Sequence, residues 1–325
     1  MSFMTSGQTP PSPFAAHLRE KGVLVVFNPR SGGGDNSLTE LLYLLRAYGI
    51  PLTERFLEGT RPIADFVTDA SDYAAVIAAG GDGTVSGLAY ALAQCHCAVP
   101  VLAFPAGTAN LIAVNLGIPA GAREQLLLLL SGQTAPLDLG ELQTQGHPPR
   151  GFAMLAGTGL DAHMIRESET YKRQLGTFSY VLAALRQVNP PATTFHICVD
   201  GGPVQHLRGI GLMLANLGHA NLRLPITADI SPSDGLFTVI VLRRGNVLQL
   251  LPSVLDSLLR RFRLHDLAQR RLETFTAREL EVWADDPFPL QFDGELHPQT
   301  TPFRARVLPR AVHFFTPLGE HDLNT

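Results

Sequence analysis

The chain folds around the segment Ala78-Ala79-Gly80-Gly81-Asp82-Gly83-Thr84-Val85-Ser86. On its left, residues 73–79 form a short continuous apolar run, which predicts a buried strand of a parallel sheet. On its right, residues 85–93 are rich in alanine and leucine, which favours a helix. Glycines between a strand and a helix let backbone N–H groups approach an anion, and the helix adds its positive end. Because an ordinary turn does not explain a carboxylate among these glycines, the segment predicts a phosphate-binding loop.

The composition is that of an ordinary globular protein. The chain has 325 residues, of which 45% are hydrophobic and 17% charged, and its formal net charge is −4. This length suits about two domains with cores of their own, and the charge gives no overall attraction to nucleic acid or anionic membranes. The lysines, Lys21 and Lys172, do not follow a glycine loop, which argues against a P-loop NTPase.

Cysteine usage and hydropathy predict a cytoplasmic protein. Cys95, Cys97 and Cys198 have neither the spacing of a zinc site nor the number expected of a disulfide framework. Residues 1–20 lack a signal-peptide pattern, and their prolines predict a flexible tail. No run of about 18 apolar residues occurs, so we expect no transmembrane segment.

Two more small-residue loops follow predicted strands. Strand 22–27 leads into Asn28-Pro29-Arg30-Ser31-Gly32-Gly33-Gly34, and strand 99–104 leads into Pro105-Ala106-Gly107-Thr108-Ala109-Asn110. Alternating strands and helices predict a Rossmann-like α/β domain over residues 21–136, with a parallel sheet whose loops gather at one edge. The other elements predicted here are strand 52–57 and helices 38–48, 64–70, 111–116 and 123–131.

From about Leu137 the pattern changes to short apolar runs separated by glycine, proline and asparagine. This pattern predicts a β-rich antiparallel sandwich over residues 137–304. The predicted elements are strands 152–156, 195–199, 209–215 and 236–242, a hairpin turn at 200–202, and helices 176–186 and 247–272. The second helix carries several arginines, which either face anionic lipid or form an ordinary solvated surface.

Two acidic segments of this half could carry chemistry. Ser231-Pro232-Ser233-Asp234-Gly235-Leu236 offers oxygen ligands that suit Mg²⁺, although it also reads as a plain hairpin turn. Phe292-Asp293-Gly294-Glu295 has two carboxylates around a glycine, which can deprotonate a hydroxyl or bind a metal, and Asp-Gly is also a common hairpin signal.

Taken together, these motifs resemble the soluble lipid kinase family that includes bacterial diacylglycerol kinase, sphingosine kinase and ceramide kinase. The matching segments occur in the family's order between about residues 22 and 317, namely 27–32, 80–84, 104–110, 156–161, 231–236 and 292–295. The resemblance implies two domains, with ATP in the cleft between them and the lipid in the β-rich domain. Its first domain is also like that of NAD kinases and phosphofructokinases, and residues 305–317 are expected to return to it.

The resemblance also implies roles for individual residues. The ATP contacts would be Asn28, Arg30, Ser31, Gly32, Gly80, Gly81, Asp82, Gly83, Thr84, Val85, Ser86, Thr108 and Asn110. Asp293 or Glu295 would take the proton from the lipid hydroxyl, with Asp293 preferred on reach, and Asp138 would be linked to the catalytic metal network. Ser231, Asp234 and the Leu236 carbonyl would hold Mg²⁺ at a site set apart from the reaction centre. Many members have aspartate where this chain has Leu111, so part of the family's metal network has no counterpart here.

We therefore expect ATP-dependent phosphorylation of a lipid hydroxyl, with diacylglycerol as the favoured acceptor. The lipid would be met at a membrane surface in a peripheral and transient way, at the inner face, without nucleic acid, and a homodimer is compatible with the sequence. Two alternatives stay open. An NAD kinase would share the central glycine loop, and a catalytically silent lipid-binding regulator would share the whole fold.

Overall fold

The computed structural model describes residues 12–29, 31, 37–59, 61–158, 192–218, 230–243, 273–293 and 295–319. The helices of these residues are α1 (Pro13–Lys21), α2 (Ser37–Ala47), α3 (Asp82–Gln94), α4 (Leu111–Asn115) and α5 (Ala122–Ser131). The strands are β1 (Val23–Phe27), β2 (Leu52–Phe56), β3 (Ala75–Gly80), β4 (Val101–Pro105), β5 (Thr134–Thr144), β6 (Arg150–Phe152), β7 (Leu155–Thr158), β8 (Thr193–Val199), β9 (Val204–Gly209), β10 (Gly211–Ala215), β11 (Phe237–Leu242), β12 (Glu273–Ala277), β13 (Glu279–Ala284), β14 (Pro289–Phe292), β15 (Glu295–Thr300) and β16 (Phe303–Phe315).

The first half is a parallel sheet covered on both faces. Its strand order is β2-β1-β3-β4, with all pairs parallel. Alternate residues of β1 enter two different cores: Leu24 and Val26 pack with α3 and α4, whereas Val23 and Val25 pack with α2 and α5. Burial on both faces is why β1, β3 and β4 are almost continuously apolar, whereas the edge strand β2 carries polar residues.

The same sheet continues into the second half. β16 lies beside β4, in parallel pairing at Phe314 and Val101, and it pairs along its length with β5 in antiparallel register. The sheet then extends through β13 and β8 to β9. With β5 and β6 it has ten strands among the described residues. The last strand therefore ties the two halves of the chain together through backbone hydrogen bonds.

A second, six-stranded sheet packs on the far part of the first. Its order is β12-β11-β10-β7-β14-β15, and its pairs are antiparallel. The two sheets share one core, in which Phe152 of β6 stacks on Phe237 of β11 with ring centroids 5.5 Å apart. The fold is thus an α/β domain followed by an antiparallel β-sandwich, as the sequence predicted.

The N-terminal segment differs from the sequence prediction. Residues 1–20 were expected to be a flexible tail, but Pro13–Lys21 form α1, which buries Leu18 against the sheet. Ser12 caps this helix by accepting a hydrogen bond from the Ala15 N–H at 3.1 Å. Proline at the first helical position loses no hydrogen bond and has a suitable φ, so it starts the helix instead of breaking it.

Two further elements differ from the prediction. The helix expected at 64–70 is replaced by two short 3₁₀ turns, Ile63–Phe66 and Ala70–Asp72. Between them Asp69 pairs with Arg55 of β2 at 2.6 Å, which holds the segment against the sheet. The strand expected at 152–156 is interrupted at residues 153–154, between β6 and β7. The predicted helices 176–186 and 247–272 lie outside the described residues.

Candidate functional site

The glycine loops after β3 and β4 touch one another. A Cβ atom added to Gly107 would collide with the Cα of Gly81 and would lie 2.9 Å from Asn110 Oδ1. The Ala106 N–H also donates to the Gly80 carbonyl at 3.3 Å. Two backbones that approach so closely need glycine at the contact, and they form a narrow floor at the carboxyl edge of the sheet.

The loop after β1 joins the same floor. The Asn28 side-chain amide donates to Thr84 Oγ1 at 2.9 Å, and the Asn28 N–H donates to the Ala79 carbonyl at 2.9 Å. The Ser31 N–H turns back to the Asn28 carbonyl at 3.0 Å. The three loops expected to meet from their position after parallel strands are therefore neighbours, while Arg30 and Gly32 lie outside the described residues.

Two of the residues predicted to contact ATP instead form hydrogen bonds with backbone groups of this region. Asp82 Oδ1 accepts the Ile112 N–H at 2.8 Å, which fixes the start of α4. The Asn110 side chain accepts from the Gly107 N–H at 2.7 Å and donates to the Gly107 carbonyl at 2.9 Å. Thr108 and Gly83 are exposed at the floor. Asp82 and Asn110 thus shape the floor, and Thr108 and Gly83 are placed to meet a ligand.

Val85 and Ser86 point away from the floor. Val85 is 3% exposed in the core against the sheet, and its N–H donates to the Gly81 carbonyl. It therefore has no free group for a nucleotide, contrary to the prediction. Ser86 is 2% exposed, and its hydroxyl has no hydrogen-bond partner among the described residues. Residue spacing along α3 turns both side chains inward, which the loop motif alone does not reveal.

A cleft of about 420 Å³ opens beside the floor. The ends of β1, β2 and β4 line it with Phe27, Phe56 and Phe104, and the start of α2 adds Ser37 and Thr39. Its size and its mixture of aromatic and hydroxyl groups are typical of a small-ligand site.

Asp293 occupies the interruption between β6 and β7. Its Oδ1 accepts the N–H groups of Met154 and Leu155 at 2.9 and 3.0 Å, and its Oδ2 accepts that of Ala153 at 3.2 Å. The Asp293 backbone has φ +44°, a left-handed conformation that aspartate tolerates better than most residues. Because the strand is interrupted here, three backbone N–H groups can bind this carboxylate.

Burial raises the pKa of Asp293, and the nearby Ser86 hydroxyl and the three backbone N–H groups oppose that rise. Asp293 keeps some exposed surface, although its carboxylate is enclosed by protein. The Ser86 hydroxyl lies close enough to the Asp293 carboxylate to lower its pKa, but the two groups do not have the geometry of a formed hydrogen bond. Ser86 lies on α3, which starts at the glycine loop and packs on β6. The floor and Asp293 are thus joined by the first turns of one helix.

The second carboxylate of this motif is less defined. Glu295 begins β15, where its backbone pairs with Phe292, and its side chain lies outside what the structure describes. Asp293 is therefore the member of the pair for which the geometry of a base can be given.

Asp138, which the family resemblance links to the catalytic metal network, is buried and hydrogen-bonded to the turn 231–236. It is 0% exposed, and its two carboxylate oxygens accept the Gly235 and Arg310 N–H groups, each at 2.6 Å. The Asp138 N–H donates to the Pro232 carbonyl at 2.7 Å. Burial raises the pKa of Asp138, while these two N–H groups lower it. Asp138 therefore positions the turn 231–236.

The turn 231–236 fits a hard cation in its donor chemistry. Asp234 Oδ1 accepts the Leu236 N–H at 2.9 Å, and burial raises the Asp234 pKa. A divalent cation would favour the ionised carboxylate there, and Ser231 and the Leu236 carbonyl add oxygen donors. Among the described residues, no group of three or more His, Cys, Asp or Glu is arranged to hold a metal ion, so backbone and hydroxyl oxygens would have to contribute.

Replacing Asp138 with asparagine is expected to lower the free energy of unfolding by about 1 kcal/mol. An amide presents one acceptor oxygen, so one of the two buried N–H groups loses its partner at a cost of about 1–3 kcal/mol, part of which is offset by removing a buried charge. Urea unfolding of the two proteins measures the difference. Asp65→Asn, which changes a half-exposed aspartate, is the matched control and should stay within about 0.5 kcal/mol of the parent. Equal stability of Asp138→Asn and the parent would contradict the positioning role.

Asn216 is a residue of this region that the sequence analysis missed. It is 0% exposed, and its amide donates to the carbonyls of Asp138 and Ala153 at 2.7 and 2.9 Å. Its own N–H donates to the Met154 carbonyl. Asn216 therefore links Asp138 to the strand interruption that holds Asp293. Its only sequence signal is an asparagine at the end of an apolar strand, which is too common to be informative.

The family models cover most of the chain in two parts. Residues 22–142 match the diacylglycerol kinase catalytic domain, and residues 155–316 match the YegS C-terminal NAD kinase beta sandwich-like domain. A relative from Pectobacterium atrosepticum, named "Probable lipid kinase YegS-like", is 32% identical over 298 residues, which are 89% of this chain and 94% of that one. The chain belongs to the YegS-like lipid kinase family.

Solved structures show the same fold. A diacylglycerol kinase from Bacillus anthracis has a TM-score of 0.69 at 21% identity and covers 91% of this chain and 97% of its own. An NAD kinase from Archaeoglobus fulgidus in complex with ATP has a TM-score of 0.54 at 13% identity and covers 92% and 95%. None of the described helices is long and apolar enough to cross a membrane. Leu111, where the family resemblance implied aspartate, is the first residue of α4 and is partly buried against the core.

Proposed function

We propose that this lipid kinase transfers the γ-phosphoryl group of ATP to the hydroxyl of diacylglycerol or a related lipid. The observation that supports this most is the helix α3, which begins at the glycine floor and carries Ser86 beside Asp293. α3 thus runs from the phosphate site toward the carboxylate of Asp293, and a phosphate site and a carboxylate base are the two parts that phosphoryl transfer to an alcohol needs.

In this proposal the chain's own groups position the nucleotide and deprotonate the lipid hydroxyl. The glycine floor and the start of α3 bind the phosphates, and the aromatic cleft beside β1, β2 and β4 takes the base of the nucleotide. Asp293 accepts the proton of the lipid hydroxyl as its oxygen attacks phosphorus, and the three N–H groups of residues 153–155 hold the carboxylate in place. Mg²⁺ that accompanies ATP would supply charge neutralisation, whereas Mg²⁺ held by Ser231, Asp234 and the Leu236 carbonyl would stand apart from the reaction centre. The lipid would be met at a membrane surface, by a monomer or a homodimer.

Labelled ATP and a panel of acceptors test the proposal. We expect radioactivity in the lipid extract with diacylglycerol or a related alcohol in mixed micelles, and its loss when EDTA removes divalent cations. Label transferred to NAD instead would favour an NAD kinase. Nucleotide binding without transfer to any acceptor would favour a catalytically silent regulator.

The turnover number should fall as the pH is lowered. This fall should occur at a pH above about 3.9, the ordinary pKa of aspartate. Because burial raises the Asp293 pKa, the carboxylate becomes protonated at a higher pH than an exposed one, and a protonated base cannot accept the hydroxyl proton. The turnover number at saturating substrates, measured against pH, should show this acidic limb. Samples held at each pH and assayed again at pH 7.5 control for denaturation. A rate that stays constant down to about pH 4 would contradict Asp293 as the base.

A further inference from the structure

A pair of histidines faces each other across two strands at the sheet edge opposite to β2. His196 of β8 pairs in register with His206 of β9, and their Nδ1 atoms lie 2.7 Å apart. On its other side His196 pairs with Trp283 of β13. This cluster is on the exposed face of the sheet and has no part in the proposed kinase chemistry.

Asp285 fixes which nitrogen of His196 carries the proton. His196 Nε2 lies 2.8 Å from Asp285 Oδ1, which is a hydrogen-bond distance. A carboxylate accepts only from an N–H, so the neutral ring is protonated at Nε2 and keeps its lone pair at Nδ1. Trp283 stacks on the His196 ring with a centroid distance of 5.6 Å and an angle of 10°, which restrains the ring plane. The lone pair is thereby held toward His206.

This is the arrangement that metal-binding histidines use. A ligating imidazole commonly donates its other N–H to a carboxylate, which sets the tautomer and raises the basicity of the ligating nitrogen. Without metal, His206 must donate its Nδ1 proton to His196. With metal, that proton moves through solvent to His206 Nε2, and both Nδ1 lone pairs become available.

The spacing of the two nitrogens indicates the kind of cation. With metal–nitrogen bonds of about 2.0 Å, neighbouring ligands are about 2.8 Å apart in a square-planar or tetragonal ion and about 3.3 Å apart in a tetrahedral one. The two Nδ1 atoms lie at a hydrogen-bond distance of 2.7 Å, so they need to separate by only about 0.1 Å to reach the first value and by about 0.6 Å to reach the second. We propose that His196 and His206 form a two-histidine site for a tetragonal divalent cation of the Ni²⁺ and Cu²⁺ class, with Cu²⁺ bound most tightly.

The remaining coordination positions would be filled by solvent. Asp285 engages the outer nitrogen of His196, and the described residues contain no group of three or more His, Cys, Asp or Glu arranged around one ion. Two protein ligands on an exposed face give an exchangeable site rather than a structural one.

Trp283 provides a local probe, because it is the single tryptophan of the chain and stacks on His196. Titration of the full-length protein with Cu²⁺ should quench its fluorescence with saturation at one ion per chain. Ni²⁺ should compete with Cu²⁺, and Mg²⁺ should leave the signal unchanged because imidazole is a poor ligand for a hard cation. Electron paramagnetic resonance of the one-to-one sample should show a tetragonal ion with nitrogen ligands.

His206→Gln should abolish the saturable quenching, and Asp285→Asn should weaken it about 10- to 100-fold by releasing the orientation of His196. Asp286→Asn, which changes the next exposed carboxylate, should bind as the parent does. Circular dichroism checks that each variant is folded, and His196→Gln offers a second loss of ligand should His206→Gln fail to fold. Quenching that does not saturate, or that persists unchanged in either histidine variant, would overturn the site.

Discussion

Replacement of Asp293 by asparagine is expected to lower the turnover number for lipid phosphorylation about 10²- to 10⁴-fold, the usual contribution of a general base. An amide cannot accept the hydroxyl proton. Its oxygen can still accept the Met154 and Leu155 N–H groups, and asparagine tolerates a φ of +44°. The fold and the affinity for nucleotide should therefore be retained. Steady-state kinetics, nucleotide titration and thermal unfolding measure the three quantities separately.

Asp200→Asn is the matched control for this variant. Asp200 also has a left-handed backbone, with φ +49°, and its Oδ1 accepts two backbone N–H groups, those of Arg278 and Glu279. It lies in the β8–β9 hairpin, so its replacement should leave turnover unchanged. If Asp293→Asn keeps more than about a tenth of the parental turnover, the base lies elsewhere, and Glu295→Gln becomes the informative variant.

Gly107→Ala should weaken nucleotide binding about 10²-fold. Its Cβ would collide with the Gly81 backbone, so the two loops would have to separate. Losing one or two backbone N–H contacts to phosphate, each worth about 1.5–3 kcal/mol, would lower the affinity by about that much. The loops are exposed at one edge of the sheet, so the loss of affinity should exceed the loss of stability. Titration with a non-hydrolysable ATP analogue gives the affinity.

Gly146→Ala controls for the general cost of replacing a glycine. Gly146 has φ +77° and no atom within 4 Å of an added Cβ, so only backbone strain of about 1 kcal/mol is expected. Nucleotide affinity should not change. Gly81→Ala is a useful contrast, because its Cβ would meet Gly107 at 3.7 Å, an ordinary contact. If Gly107→Ala binds nucleotide as the parent does, the loops do not form the phosphate site.

The hydrogen-bonded turn at 200–202 and the strands before each glycine loop were predictable because their signals are local. Asp200 and Gly201 both have positive φ, which the Asp-Gly-Gly sequence favours. The strand interruption at 153–154 was not predictable, since Phe152 to Ala156 is uniformly apolar. The interruption forms because Asp293, about 140 positions later, takes the N–H groups that a neighbouring strand would otherwise use.

The α1 helix and the contacts of Asp138 could not be predicted either, because both depend on residues that are distant in the chain. The prolines at positions 10, 11 and 13 suggest a flexible tail, but Pro13 begins a helix that is stabilised by burial of Leu18 in the core. The family pattern links Asp138 to the catalytic metal network, but its hydrogen bonds to Gly235 and Arg310 depend on a bulge in β16 near Arg310. Neither the core nor the bulge has a signal in the residues concerned.

By itself the sequence determined the two-part architecture, the order of the glycine loops and the lipid kinase family, because these depend on periodicity and on motifs a few residues long. Only the tertiary structure decided which side chains face a ligand and which face the protein. Asp82, Asn110 and Asp138 bind backbone groups of other loops, Val85 enters the core, and Ser86 turns toward Asp293. Such partners are distant in the chain, and their pairing is fixed by packing and by the need to satisfy buried polar groups, which no single segment encodes.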